Sequence, residues 1–76
     1  MAHVTEQAIK AWQAGWQDAA DDLNRKRLPP GNIGKHPSAY ILGYFASRES
    51  AAVYGMRADN VYYNDYLATF MENYDL

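Results

Sequence analysis

The chain contains no cysteine, and it has only two histidines among its 76 residues. The absence of cysteine excludes disulfides and thiolate zinc sites, and it is typical of proteins of the reducing cytosol. His3 and His36 are far apart in the sequence, so they do not form the close pair that a metal site uses. We therefore expect a cytoplasmic protein with no metal and no cofactor, stabilised by tight helix packing or by oligomerisation.

Long apolar runs are also absent. The longest nearly uncharged stretch, about ten residues around Ala39–Ser47, is far shorter than the roughly 20 residues of a transmembrane helix. The first residues have neither the basic start nor the apolar run of a signal peptide. We therefore expect no association with a membrane.

The length and the net charge of the chain limit how it can be stabilised and what it can bind. A domain of this length buries only about 60% of the surface of its unfolded chain, so tight helix packing or oligomerisation must supplement a small core. The net charge is −2, with seven bases and five acids in residues 1–58 and four acids without a base in residues 59–76. A net charge of −2 is not the excess of positive charge that a general nucleic-acid binder uses.

A duplicated pattern organises the sequence. Ala-aromatic-x-x-Gly-aromatic-x-x-small occurs at residues 11–19 and again at residues 39–47. Glycine inside a helix costs about 1 kcal/mol relative to alanine, and close approach of a facing backbone is the simplest compensation. We therefore predict a helix–helix contact at these positions, although one glycine could instead clear space for a ligand or a base. The predicted contact residues are Trp12, Gly15, Trp16, Tyr40, Gly43 and Tyr44.

Helical spacing and end signals divide the chain into three helices. Residues 1–76 form a single small helical domain, with helix 1 at about 5–27, a link at 28–37, helix 2 at about 38–55 and helix 3 at about 59–74. Thr5 and Asp59 are predicted N-caps, and Gly55 is a predicted C-terminal cap. A competing interpretation continues helix 2 through Gly55 to about residue 72.

The predicted fold is all-α: an antiparallel helical hairpin followed by a C-terminal third helix, in an oligomer. Helix 2 carries a second apolar stripe, formed by Ile41, Phe45 and Ala52, besides the stripe that contains Gly43. Two stripes predict that helix 2 is covered from two sides.

The C-terminal segment is a candidate protein interface, because tyrosine is enriched where proteins meet and this segment is acidic. The alternative is that it covers the hairpin within the same chain. We expect a partner that is a second copy, giving a homodimer, or another protein; a phage-type modulator of a host protein is one such role. The candidate interface residues are Tyr54, Tyr62, Tyr63, Tyr66, Phe70 and Tyr74.

Basic residues near the link are a candidate RNA contact, because cations that meet across a hairpin could bind a phosphate backbone. The alternative is that they complement the C-terminal end of helix 1 and solubilise the link. The candidate RNA contact residues are Arg25, Lys26, Arg27, Lys35 and His36.

Catalysis has little support in the sequence. Ser47, Glu49 and Ser50 are neighbours on helix 2, but they lack a histidine at helical spacing. We predict that the protein is not an enzyme.

The duplicated pattern with its proline-containing link resembles ribosome modulation factor over residues 8–50. The matching residues are Trp12, Gly15, Trp16, Ala19, Tyr40, Gly43, Tyr44 and Ser47. The resemblance implies a helical hairpin that binds the ribosome or its RNA and modulates translation. The chain departs from that family in its acidic charge, in the absence of a Cys-Pro-Tyr sequence in the link, and in its additional residues 58–76.

Overall fold

The computed structural model describes residues 3–55 and 59–76, with side chains described for 3–55 and 62–76. In these residues the protein is all-helical, with three α-helices and no strand. Helix α1 is Glu6–Asn24, α2 is Ser38–Tyr54 and α3 is Asp59–Asn73, and a short 3₁₀ helix, Ile33–Lys35, lies in the link.

Helix α1 begins at a side-chain cap and ends at a left-handed residue. The hydroxyl of Thr5 accepts a hydrogen bond from the Ala8 N–H at 3.1 Å. At the other end Lys26 has a φ of 57°. The Arg27 N–H donates to the Asp22 carbonyl at 2.7 Å, and the Lys26 N–H donates to the Leu23 carbonyl. This is the Schellman arrangement, with lysine where glycine is usual, and it ends the helix three residues before the predicted 5–27.

Gly55 separates α2 from the C-terminal segment. It has a φ of 88°, and its N–H donates to the Ala51 carbonyl at 2.9 Å. Helix α2 therefore ends at Tyr54 and does not continue as one long helix. Asp59 is the first residue of α3, and the position before it lies outside the described residues, so its predicted capping role is not described.

Helices α1 and α2 run in the same direction, whereas we predicted an antiparallel hairpin. Gly15 lies against Tyr40 and Tyr44, and farther along both helices a guanidinium nitrogen of Arg48 donates to the Arg27 carbonyl at 3.4 Å. In an antiparallel pair crossing at the glycines, Arg48 would lie opposite about residue 10. At ~1.5 Å per residue that position is about 25 Å from Arg27.

The link explains how this direction is reached. Its 3₁₀ helix brings Ile33 against Ala19, Tyr40 and Tyr44, so the chain returns along the side of α1 before α2 begins. The 28–37 link was predicted to be a turn between antiparallel helices. Instead it runs back along α1, so that α2 can begin near the N-terminal half of α1.

The core forms where α3 covers the tryptophan face of the α1–α2 pair. Trp12 and Trp16 are stacked with centroids 5.2 Å apart, and Phe70 stacks on Trp12 at 5.8 Å. Hydrogen bonds connect the residues before α1 to the residues after α3. The Thr5 N–H donates to the Leu76 carbonyl, and the His3 N–H donates to an Asp75 carboxylate oxygen. Helix α3 is thus held at its tyrosine face and at its C-terminal end.

Candidate protein-binding surface

Gly15 and Gly43 both lie where α1 and α2 touch. A methyl group on Gly15 would overlap the Tyr40 carbonyl oxygen and lie 2.8 Å from the Tyr44 nitrogen. A methyl group on Gly43 would overlap the Trp12 carbonyl oxygen and lie 2.9 Å from the Trp12 Cα. The space beside each glycine is therefore filled by the facing backbone and is not open to a ligand.

The aromatic residues of the predicted contact divide between two partners. Tyr40 and Tyr44 pack on Ala19 of α1 in one buried cluster. Trp16 instead faces α3, and the centroid of its ring lies 5.3 Å from that of Tyr63. The duplicated pattern therefore builds two different contacts, one between α1 and α2 and one with α3.

Two tyrosine hydroxyls from α2 bind carboxylates of α1. The Tyr40 hydroxyl donates to Asp18 at 2.5 Å, and the Tyr44 hydroxyl donates to Asp22 at 2.7 Å. Burial, and then the hydrogen bond to Asp18, raise the pKa of the Tyr40 phenol above its usual range. Burial and the bond to Asp22 likewise raise the pKa of Tyr44. These bonds orient the rings, so the tyrosines serve the helix contact.

The candidate RNA residues lie beside acidic groups. Arg27 is 3.1 Å from carboxylate oxygens of both Asp21 and Asp22, and Arg25 is 3.4 Å from Asp21. The cations of this region therefore face local carboxylates that would repel a phosphate backbone.

The other candidate RNA residues are spread over the link. The exposed Lys26 and Lys35 form no ion pair with a residue that the structure describes. The His36 ring stacks on Tyr40 with centroids 4.0 Å apart. The histidine thus extends the aromatic packing of α2.

Part of the candidate protein interface is core, and part is exposed. Phe70 is 3% exposed and stacks on Trp12, so in this structure it belongs to the core. Tyr63 and Tyr66 are half-buried, and both rings lie against Trp16. The helical spacing of Tyr63 and Tyr66 in the sequence already placed them on the inner face of helix 3.

The remaining members of that set lie nearer the surface. Tyr54 is exposed and stacks on Tyr62 with centroids 3.9 Å apart. Tyr74 is 41% exposed and lies at the edge of a groove. The exposed tyrosines are thus at the two ends of the α2–α3 pair and do not form one patch.

The second apolar stripe of α2 is not covered by the described part of the chain. Phe45 is 45% exposed, Ala52 is exposed and Ile41 is half-buried. We call these residues, together with Arg48 and Glu49, the outer stripe. It is a ridge, because grooves lie on both of its sides and Phe45 and Glu49 line both of them.

The two grooves have different walls. The groove toward α3 has a volume of about 500 Å³, and Trp12, Tyr66, Phe70 and Tyr74 form its far side. The groove toward α1 has a volume of about 520 Å³ and is bounded by Leu23. A ridge between two grooves is the shape by which one helix packs against another.

The outer stripe carries one positive and one negative charge at its centre. A guanidinium nitrogen of Arg48 reaches the Tyr44 hydroxyl at 3.3 Å, at the long end of hydrogen-bond distances. Glu49 is exposed, and its negative charge adds to burial in raising the pKa of Tyr66. Neither residue forms an ion pair within the described ranges.

The serine hydroxyls of α2 and the acidic and histidine side chains are further candidates for a site. Ser47 and Ser50 are fully buried, so neither hydroxyl can reach a substrate. In residues 3–55 and 59–76 no three His, Cys, Asp or Glu side chains are placed to hold a metal ion. Over the same ranges, no helix combines the length and apolar character required to cross a membrane.

Comparison of the chain with known protein families, with curated proteins and with solved structures finds no match. The resemblance to ribosome modulation factor therefore rests on the matching residues alone and stays a prediction.

Proposed function

We propose that the protein is a non-enzymatic protein–protein interaction module that associates with itself through the outer stripe of α2. The single observation that carries this proposal is the exposure of Phe45 on a ridge between two grooves. Covering an aromatic side chain that is half exposed stabilises a complex by roughly 2 kcal/mol per ring.

The size of the molecule supports association. A stable interface buries about 800 Å² on each partner, which is a modest part of the 5164 Å² of accessible surface. Helix α2 has 17 residues and is therefore about 25 Å long, enough for a helix-to-helix interface. The stripe is apolar at both ends and charged in the middle.

Residues at the C-terminal end of α3 offer a second surface, for a different protein. Met71 and Tyr74 are each 41% exposed, and Glu72 and Asp75 are exposed beside them. An acidic surface with exposed apolar groups suits a partner with basic residues. A phage-type modulator of a host protein would use such a surface while it forms a dimer through α2.

RNA or ribosome binding, which the resemblance implies, is less favoured by the geometry. Two of the five candidate residues, Arg25 and Arg27, are already paired with Asp21 and Asp22. Phosphate binding there must break these pairs and bring phosphates close to carboxylates, which lowers the affinity and makes it steeply salt-dependent.

The mass in solution tests the proposal. Sedimentation equilibrium of the wild-type chain should give about twice the chain mass of 8.6 kDa. Phe45→Ser should return the mass to that of one chain. Met71→Ser is the matched control, because Met71 has similar exposure but lines neither groove, and it should leave the mass unchanged. A wild-type chain that stays at 8.6 kDa throughout a concentration series would refute self-association.

A further inference from the structure

We infer that the second copy binds antiparallel along α2, about a twofold axis between Arg48 and Glu49. In this arrangement Phe45 of each copy packs on Ala52 of the other, and Arg48 of each copy pairs with Glu49 of the other. The inference rests on the proposed self-association, and it specifies the partner, its direction and its register.

The order of charges on the outer stripe determines the direction. A symmetric dimer repeats each contact, so that residue 48 of one copy meets a given residue of the other and the reverse also holds. In an antiparallel pair centred between positions 48 and 49, each Arg48 faces a Glu49. In a parallel pair in register, Arg48 faces Arg48 and Glu49 faces Glu49, and like charges repel.

The sizes of the apolar side chains agree with the same register. Positions 45 and 52 are equally far from the centre of this pairing, on either side of it. Phe45 is the large, exposed side chain of the stripe, and Ala52 is small and lines the groove of about 520 Å³ beside Leu23. The ring of one copy can therefore enter the groove of the other next to Ala52, as a large residue against a small one.

The charged pair is available for this contact. Arg48 is held by contacts of 3.3 Å to the Tyr44 hydroxyl and 3.4 Å to the Arg27 carbonyl, and both are long. Glu49 is exposed, and its carboxylate also interacts with the Tyr66 hydroxyl, which helps to raise the pKa of that phenol. Turning the guanidinium toward the other copy therefore breaks two long hydrogen bonds and a cation–π contact, in which the guanidinium carbon lies 5.8 Å from the centroid of the Tyr44 ring.

A charge exchange between two variants tests the register. R48E alone places four carboxylates at the centre of the dimer, and E49R alone places four cations there. Each should weaken self-association by roughly tenfold or more, because charges of one sign are brought together. An equimolar mixture of R48E and E49R restores both opposite-charge pairs, so native mass spectrometry should show a heterodimer and little of either homodimer. D65R is the control for the charge change, since Asp65 is exposed and lines neither groove, and it should dimerise as the wild type does.

An apolar exchange tests the same register without Arg48, whose contacts to α1 could affect folding. A52F should weaken the dimer, because two large rings then meet, and F45A/A52F should restore it by reversing the large and small positions. Far-UV circular dichroism establishes that each variant is folded.

The results separate this inference from the proposed function. A wild-type chain that is monomeric overturns the proposed function. A wild-type dimer with E49R and A52F dimers of unchanged affinity overturns only the register, and so does a mixture of R48E and E49R that forms no heterodimer.

Discussion

Replacing Gly15 by alanine should destabilise the protein, although alanine is the better helix former. Gly15 lies in the middle of α1, where the change would favour the helix by up to about 1 kcal/mol if the position were exposed. The new methyl group, however, would overlap the Tyr40 carbonyl oxygen and lie 2.8 Å from the Tyr44 nitrogen. Both atoms belong to backbone, so no side chain can turn away.

The cost follows from the separation that the helices must adopt. Carbon contacts are comfortable from about 3.5 Å, so relieving the overlap with the Tyr40 carbonyl oxygen moves the backbones apart by about 1 Å or more. A gap of this size loses roughly half of the dispersion energy of each contact. Overpacking of this kind costs about 1–3 kcal/mol. The hydrogen bonds of Tyr40 and Tyr44 to α1 weaken as well, at about 1 kcal/mol each. After the gain in helix propensity, we expect a net loss of roughly 2 kcal/mol.

Thermal unfolding followed by circular dichroism at 222 nm measures this loss. For a domain of this size, 2 kcal/mol lowers Tm by about 8–16 °C. Gly34→Ala is the matched control, because no atom lies within 4 Å of the added methyl group, and it should leave Tm unchanged or slightly higher. A G15A variant with the stability of the wild type, or more, would refute the close contact.

Three further outcomes follow from the same structure. Tyr40→Phe removes the donor to Asp18 and should lower the free energy of unfolding by about 1 kcal/mol in urea titrations. The raised pKa values of Tyr40 and Tyr44 mean that the folded chain keeps phenol protons that the unfolded chain loses above about pH 10. Stability should therefore fall as the pH rises beyond that value, and less steeply in Y40F than in the wild type. Gly55→Ala meets no atom within 4 Å, yet its φ of 88° should cost about 1–3 kcal/mol. An unchanged Tm for G55A would show that this backbone angle is not required.

The all-helical class was predictable because spacing and end signals act locally. The spacing of three and four residues continues from Trp12 through Trp16 and Ala19, and these residues are buried. Gly55 ended α2 for the reason that glycine often ends helices, a left-handed backbone angle. The end of α1 was predicted too late, since Lys26 takes that angle without being glycine.

The direction of α2 was not predictable from the same signals. The contacts of Gly15 and Gly43 are the same for parallel and antiparallel helices. Gly15 meets Tyr40, three residues before Gly43, and Gly43 meets Trp12, three residues before Gly15, in either direction. The decisive contacts, such as Arg48 with the Arg27 carbonyl, join positions with no shared periodicity.

The candidate site was only partly visible in the sequence. The stripe containing Phe45 was found from its spacing, but spacing does not tell whether the cover comes from the same chain or from another. Phe70 was assigned to a partner interface, although its helical position pointed to the core.

The surfaces described above all depend on α1 and α2 running in the same direction, and one spin label tests that direction. The chain has no cysteine, so Asn24→Cys at the exposed end of α1 accepts a single nitroxide. Paramagnetic broadening of the amide signals in the NMR spectrum should be strong near Tyr54 and weak near Ser38, if the two helices run in the same direction. Strong broadening near Ser38 with intact signals near Tyr54 would contradict that direction and the outer stripe that depends on it.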